Sequence, residues 1–349
     1  MKTIVLTGGG TAGHIAPNLA LLPYLTDYEV HYCGEAGGME EKMLADFPRV
    51  IFHALPCIKL RRSLSPQNLK VPFVLHKGVS QAKKLLRALS PAVVFSKGGY
   101  AALPVALAAG KLHIPLVLHE SDVSMGLSNR LAAKKAHTVC TSFPALAASL
   151  RNGKHTGAPI RRELYEGRKD NVLRTFSLPQ NNKPNLLVFG GSQGALALNN
   201  ALEARLADVC ARFNVLHIAG KHAFAGENPW YRRTPFCSAM ADCYAWADYV
   251  VCRAGAGTLA ELVALKKAAL VIPLPKSGSS RGDQQQNAAY YASLGCIDVL
   301  QQSDLTPDTL YERINALPAR KSALVAAMQK APSPDGTRAV AEILKSFGR

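Results

Sequence analysis

The sequence predicts an α/β protein of two Rossmann-like domains, each built on a parallel sheet. Three observations carry that expectation. Short apolar runs alternate with helix-like segments, the pattern of βαβ units. A strand, a Gly-rich turn and a helix follow one another near the N-terminus, and the same succession returns after residue 185. A length of 349 residues suits two domains, each large enough to bury its own core.

The first strand is expected at residues 3–7, followed at once by the glycine turn 8–13 and by a helix from Pro17 towards Tyr24. A strand this short, closed by glycines, is not the apolar region of a leader peptide. Further strands are expected at 29–33, 92–96, 116–119 and 137–141. The polar, Gly- and Pro-containing stretch 151–159 reads as an interdomain linker, giving a first domain of 1–155 and a second of 156–334. In the second half, strands are expected at 185–189, 215–219, 249–252 and 269–273, with helical stretches at 195–210 and 258–266. The chain ends in an amphipathic helix, 338–347, with Val340, Ile343, Leu344 and Phe347 at helical spacing.

Composition excludes several classes. At 48% hydrophobic and 19% charged residues, the chain is neither disordered nor fibrous. Its eight cysteines contain no Cys-x-x-Cys pair, which removes a structural zinc site and leaves reduced, mostly buried thiols. The uncharged runs are too short or too polar to span a bilayer. The formal net charge of +17 points to an anionic partner. Residues 47–119 hold eleven Lys and Arg and no acid. Within them Lys59, Arg61, Arg62, Lys70, Lys77, Lys83, Lys84 and Arg87 interleave with Leu60, Leu69, Phe73 and other apolar residues. Basic and apolar side chains together fit an anionic membrane surface. A single-stranded nucleic acid would need stacking aromatics, and Phe73 stands alone, so no nucleic-acid partner is expected.

Three glycine turns carry the chemistry. The run Gly8-Gly9-Gly10-Thr11-Ala12-Gly13-His14 satisfies G-x-G-x-x-G through Gly8, Gly10 and Gly13, and Glu35 follows a second strand. That keeps a dinucleotide-dependent oxidoreductase open. Backbone amides at such a turn attract a diphosphate. His14, at the turn, is placed for acid–base work or for a structural hydrogen bond. Gly190-Gly191-Ser192-Gln193-Gly194 repeats the turn in the second half. Two such turns suit two phosphate-bearing ligands better than one dinucleotide. The third junction, Arg253 to Glu261, offers small residues and a carboxylate one turn into a helix, where it can accept ribose hydroxyls. The amide-rich segment Asp283-Gln284-Gln285-Gln286-Asn287 suits sugar hydroxyls.

Taken in order, Gly9-Gly10-Thr11-Ala12-Gly13-His14, Ser96-Lys97-Gly98-Gly99-Tyr100, His119-Glu120-Ser121-Asp122, the 190–194 turn, Tyr244-Ala245-Trp246-Ala247-Asp248 and Cys252-Arg253-Ala254-Gly255 resemble the MurG glycosyltransferase family over nearly the whole chain. The resemblance implies a GT-B fold, two Rossmann-like domains facing across a cleft, with the terminal helix (335–349) crossing back to the first. It implies inverting, metal-independent transfer of GlcNAc from UDP-GlcNAc to the 4-hydroxyl of the muramoyl sugar of lipid I, forming lipid II for peptidoglycan. No cofactor is implied. The expected partners are UDP-GlcNAc, undecaprenyl-linked lipid I and the anionic cytoplasmic face of the bacterial plasma membrane, with other cell-wall synthesis proteins as associates. Residues 61, 62, 70, 73, 77, 83, 84 and 87 would then be the membrane patch.

By the same resemblance, Thr11, Ala12, Gly13, Gly98, Gly99 and Tyr100 hold the acceptor diphosphate. His14 is the general base for the attacking hydroxyl, with Glu120 as neighbouring acid or rival base. Arg161, Ser192 and Gln193 face the UDP phosphates, the amides of Ala256, Gly257, Thr258 and Leu259 contact phosphate and sugar, and Glu261 takes the ribose. Gln284 contacts GlcNAc hydroxyls, and backbone groups near Cys237 read uracil. Asp122 stands where the family's His-Glu-Gln-Asn motif has its acetamide-binding Asn, with Asn129 as the substitute amide. A transferase of the same fold acting on another lipid, such as diacylglycerol, and a sugar-nucleotide-binding subunit without catalysis are the other readings.

Overall fold

The computed structural model describes residues 1–60, 66–191, 194–221, 226–277 and 281–348. They form two compact units: Met1–Arg161 with Asp335–Arg349, and Arg162–Pro334.

The first unit is a seven-stranded sheet: β1 (Lys2–Thr7), β2 (Tyr28–Glu35), β3 (Val50–Leu55), β4 (Val93–Ser96), β5 (Leu116–Glu120), β6 (Thr138–Thr141) and β7 (Gly153–His155). All pairings are parallel, in the order β3-β2-β1-β4-β5-β6-β7. Six helices accompany it: α1 (Ala12–Leu21), α2 (Met39–Leu44), α3 (Val71–Leu89), α4 (Leu103–Lys111), α5 (Leu127–Ala133) and α6 (Pro144–Ala148). A parallel sheet is covered on both faces, and its inner strands show it: β4 and β5 are buried along their whole length. β1 shows the division: Ile4 and Leu6 pack in one core, Val5 in the other. The C-terminal helix (Thr337–Ser346) belongs to this unit, its Val340, Ala341 and Leu344 lying in the core with Ile4 and Leu6.

Two expectations fail here. Helix α1 starts at Ala12, not Pro17, and runs through the proline. Pro17 forfeits one bond to the Gly13 carbonyl, but Ile15 and Leu19, both buried, hold the helix on the sheet. His14, expected at the loop–helix junction, sits in the first helical turn. Residues 151–159 are not a linker either. They contain β7, and Ala158 bridges to Asp335. A three-residue edge strand is too short to show against Gly and Pro. The chain enters the second unit after Arg161.

The second unit is a six-stranded parallel sheet, ordered β10-β9-β8-β11-β12-β13. Its strands are β8 (Asn185–Phe189), β9 (Asn214–Ile218), β10 (Tyr231–Thr234), β11 (Tyr249–Cys252), β12 (Ala268–Val271) and β13 (Asp298–Val299). Its helices are α7 (Lys169–Thr175), α8 (Leu196–Ala204), α9 (Leu206–Arg212), α10 (Met240–Trp246), α11 (Ala256–Ala264), α12 (Asp283–Ser293) and α13 (Pro307–Lys330). The single helix expected at 195–210 is two helices. Arg205 leaves helical geometry (φ −121°, ψ 20°), and its guanidinium ties Asp208 and Asp308.

Candidate functional sites at two switch points

In an open parallel sheet a ligand crevice opens where the strand order reverses, outside the carboxyl ends of the strands. In the first unit that point lies between β1 and β4. The glycine turn leaves β1, and Lys97-Gly98-Gly99-Tyr100 leaves β4. The two turns are pressed together. A methyl group on Gly99 would lie 2.3 Å from the Gly9 carbonyl oxygen and 3.1 Å from His14 Nδ1. One on Gly10 would meet the Tyr100 ring at 2.5 Å, and one on Gly98 would meet Asn129 at 2.9 Å. The fold thus brings Thr11, Ala12, Gly13, His14, Gly98, Gly99, Tyr100 and Asn129 together at one crevice.

Thr11 caps α1, and its Oγ1 lies 3.0 Å from His14 Nδ1. With Nδ1–H donating to that hydroxyl, the basic lone pair is on Nε2, the tautomer a general base needs. Beneath the turn, Glu40 is buried and accepts N–H groups of Glu35 (2.8 Å) and Gly10 (3.4 Å). Tyr100 donates to Glu35 Oε2 at 2.5 Å. Sequence reasoning missed Glu40. Its partners are backbone groups that only the fold assembles.

Glu120, at the end of β5, is 6% exposed and accepts three hydrogen bonds. They come from Asp122 N (3.1 Å), Gly126 N (2.9 Å) and Asn129 Nδ2 (3.0 Å). Its carboxylate orders the 121–126 loop. Asn129 also donates to the His119 carbonyl at 3.0 Å, so its amide nitrogen is spoken for while its Oδ1 is buried without a partner among the described residues. His119 is buried and accompanied by Lys97; both effects, burial first, push its pKa down to about 3, and it stays neutral.

The second unit reverses its strand order between β8 and β11. Gly191 and Gly194 take φ of +86° and +74°, the left-handed region that glycine enters at no cost. Ser192 and Gln193 lie outside the described residues. After β11, Arg253 is buried and donates Nη1 to the Ile272 carbonyl at 3.0 Å. Gly255 then caps α11. The N–H groups of Ala256, Gly257 and Thr258 have no acceptor within the helix. Leu259 differs from expectation, because its N–H closes the first turn on the Gly255 carbonyl at 3.0 Å. A methyl group on Gly257 would touch nothing within 4 Å among the described residues.

Glu261 is held by Tyr244, whose hydroxyl donates to Oε2 at 3.0 Å. Tyr244 belongs to a motif quoted above, yet its contact with Glu261 was not legible in the sequence. Gln284, on α12, accepts the Leu274 N–H at 2.9 Å and so points its amide back to the end of β12. Arg161 closes the first unit, its Nε buried without a partner among the described residues. Cys237 is half-buried in the connection between β10 and α10.

The basic stretch is elsewhere on the first unit. Lys70, Lys77, Lys84 and Arg87 are exposed on or beside α3, Lys83 is half-buried, and Leu69 and Phe73 are 76% and 79% exposed. Arg61 and Arg62 lie outside the described residues.

Residues 4–141 match the glycosyltransferase family 28 N-terminal domain and residues 185–345 its C-terminal domain. The chain is 40% identical to a UDP-N-acetylglucosamine–N-acetylmuramyl-(pentapeptide) pyrophosphoryl-undecaprenol N-acetylglucosamine transferase of Lachnospira eligens, over 99% of each chain. It is 38% identical to the enzyme of that name from Clostridium botulinum strain Langeland, again over 99% of each. Among solved structures, MurG of Acinetobacter baumannii aligns with a TM-score of 0.75 at 27% identity, covering 99% of this chain and 100% of that one. The kitacinnamycin glycotransferase shares the fold, with a TM-score of 0.71 at 16% identity over 99% of each chain.

Proposed function

Since the chain belongs to the family of UDP-N-acetylglucosamine–N-acetylmuramyl-(pentapeptide) pyrophosphoryl-undecaprenol N-acetylglucosamine transferases, with the two Rossmann-like domains of a GT-B fold, we propose that it converts lipid I to lipid II. GlcNAc moves from UDP-GlcNAc to the 4-hydroxyl of the muramoyl sugar, with inversion at the anomeric carbon. One observation supports this most: each unit has its own glycine-lined switch point. A reaction between two diphosphate-bearing substrates needs two such sites, and a dinucleotide needs one. Glu35, the residue a dinucleotide's ribose would require, is instead engaged by the Tyr100 hydroxyl.

The first unit takes the acceptor, its diphosphate on the turns of Thr11–Gly13 and Gly98–Tyr100. His14 Nε2 removes the proton of the 4-hydroxyl as that oxygen attacks the anomeric carbon. Glu120 is the weaker choice of base, because three N–H groups already use its oxygens. The second unit takes the donor. Glu261 accepts the ribose hydroxyls, Gln284 meets the GlcNAc hydroxyls, and backbone near Cys237 reads uracil. As the bond from the anomeric carbon to UDP breaks, the amides of Ala256, Gly257 and Thr258, together with Ser192 and Gln193, stabilise the departing diphosphate. A well-placed donor of this kind contributes about 3 kcal/mol to the transition state.

The test is UDP release from UDP-GlcNAc with and without a soluble lipid I analogue. Acceptor-dependent release is expected. Release with diacylglycerol but not with the analogue would assign a different lipid, and UDP binding without release to any acceptor would leave only a binding subunit.

No helix of the described residues is long and apolar enough to cross a membrane. The enzyme meets its lipid acceptor peripherally, through α3, on the cytoplasmic face. Lys70, Phe73, Lys77 and Lys84 recur at three-, four- and seven-residue spacing, which places them on one face of that helix. Each surface cation is worth about 1 kcal/mol at an anionic leaflet. Reversing Lys83, Lys84 and Arg87 to Glu is expected to weaken binding to anionic vesicles on the order of a hundredfold or more. Phe73→Ser should weaken it further at high salt, where screening leaves the apolar contact dominant. Vesicle sedimentation unchanged in both variants would remove α3 from the membrane contact.

A further inference from the structure

Cys237 and Cys243 lie with Sγ atoms 3.4 Å apart. Cys243 is fully buried on α10, and Cys237 is half-buried in the connection that precedes it. We infer that this pair is an oxidation site, taking hydrogen peroxide or an organic hydroperoxide and closing to a disulfide that disables donor binding. The second half of that inference rests on the placement of the uracil near Cys237.

The geometry separates the two sulfurs by role. Cys237, half-buried, is the sulfur a peroxide can reach, Cys243 is fully buried, and across the 3.4 Å contact a thiolate on Cys237 accepts the S–H of Cys243. Cys237 is thus the nucleophile and Cys243 the resolving thiol. Other thiols have no such aid. Burial pushes those of Cys33, Cys57 and Cys140 up to about 12, and they are inert. In the first step the Cys237 thiolate attacks one peroxide oxygen, the O–O bond breaks, and hydroxide (or alkoxide) leaves, giving a sulfenic acid. In the second the Cys243 sulfur attacks the sulfenic sulfur. The S–S bond forms, the S–O bond breaks, and hydroxide departs with the Cys243 proton as water. Two electrons from the sulfurs have reduced one peroxide.

A disulfide needs about 2 Å between sulfurs, so the pair must draw together by more than 1 Å. Helix α10 is the fixed partner: Tyr244 and Trp246 are 1% and 2% exposed. The movement falls on residues 235–239, where Pro235, Phe236, Ser238 and Ala239 are exposed. That is the backbone proposed to read uracil. Tyr244, next to Cys243, also holds Glu261.

The experiment treats the full-length reduced protein with hydrogen peroxide, then maps tryptic peptides by mass and measures UDP affinity by calorimetry. The peptide 234–253 is expected to lose the mass of two hydrogen atoms. The loss should persist in Cys252→Ser and vanish in Cys237→Ser and Cys243→Ser. UDP affinity should fall by at least about tenfold and return with dithiothreitol. No disulfide in the wild type, or a disulfide with unchanged UDP affinity, overturns the inference. A parallel measurement isolates the donor-site reading: UDP should slow iodoacetamide alkylation of Cys237 in reduced Cys252→Ser protein. Without that protection the uracil placement is wrong, and the disabling effect on donor binding goes with it. Protection without peroxide-induced disulfide leaves the placement standing and the oxidation site refuted.

Discussion

His14→Ala is expected to lower acceptor-dependent UDP release by at least about a hundredfold while leaving UDP affinity unchanged, because a general base contributes that much and acts only in the transition state. The structure makes the prediction sharper than the residue type does. His14 stands in the first turn of α1, with Thr11 Oγ1 3.0 Å from Nδ1. If that hydroxyl selects the tautomer, Thr11→Val removes the acceptor for Nδ1–H. Its cost should then appear in kcat rather than in the acceptor KM, and should be smaller than that of His14→Ala. Glu120→Gln provides the contrast. A carboxylate bound by three N–H groups orders its loop, so this variant should lower thermal stability and shift the acceptor KM. A Glu120→Gln loss in kcat as large as that of His14→Ala, with normal stability, would exchange the two roles.

Most strands were legible because parallel strands buried on both faces are written as apolar runs. β8 and β11 match their expected bounds. What escaped was local. β10 carries Arg232 and Arg233 and lies at a sheet edge, where charges are tolerated and the apolar signal is lost. Helix α13 continues through Pro318, and its capping box, Thr306 with Thr309, uses no acidic residue to announce it. At the sites, the glycine turns were legible because backbone at positive φ has few sequence solutions. Their supports were not. Glu40 reaches Gly10 across thirty residues and Tyr100 reaches Glu35 across 65. Such contacts have no spacing to betray them, since the sheet order and not the chain brings them together.

The close approach of the two turns carries the second large effect. Gly99 has φ +85° and ψ 164°, a region reserved for glycine. A Cβ there would sit 2.3 Å from the Gly9 carbonyl oxygen, which is backbone and cannot rotate aside. Gly99→Ala must therefore separate the turn after β4 from the turn after β1. The latter carries His14, whose Nδ1 is the next atom in reach at 3.1 Å. A displacement near 1 Å at a catalytic group costs on the order of a hundredfold in rate, and the backbone strain adds about 1–3 kcal/mol of destabilisation. The expected result is acceptor kcat/KM down about a hundredfold, a lowered melting temperature, and UDP affinity within about twofold of wild type. The groups proposed to hold UDP, the amides of Ala256–Thr258 and the Glu261 carboxylate, belong to the second unit. Gly37→Ala supplies the control. It too has positive φ, +67°, but its added methyl would meet nothing within 4 Å. It should cost only the conformational penalty of about 1–2 kcal/mol and leave turnover intact. If Gly99→Ala behaves like Gly37→Ala, the contact between the two turns is not what positions the base, and the acceptor site must be sought away from the β1–β4 switch point.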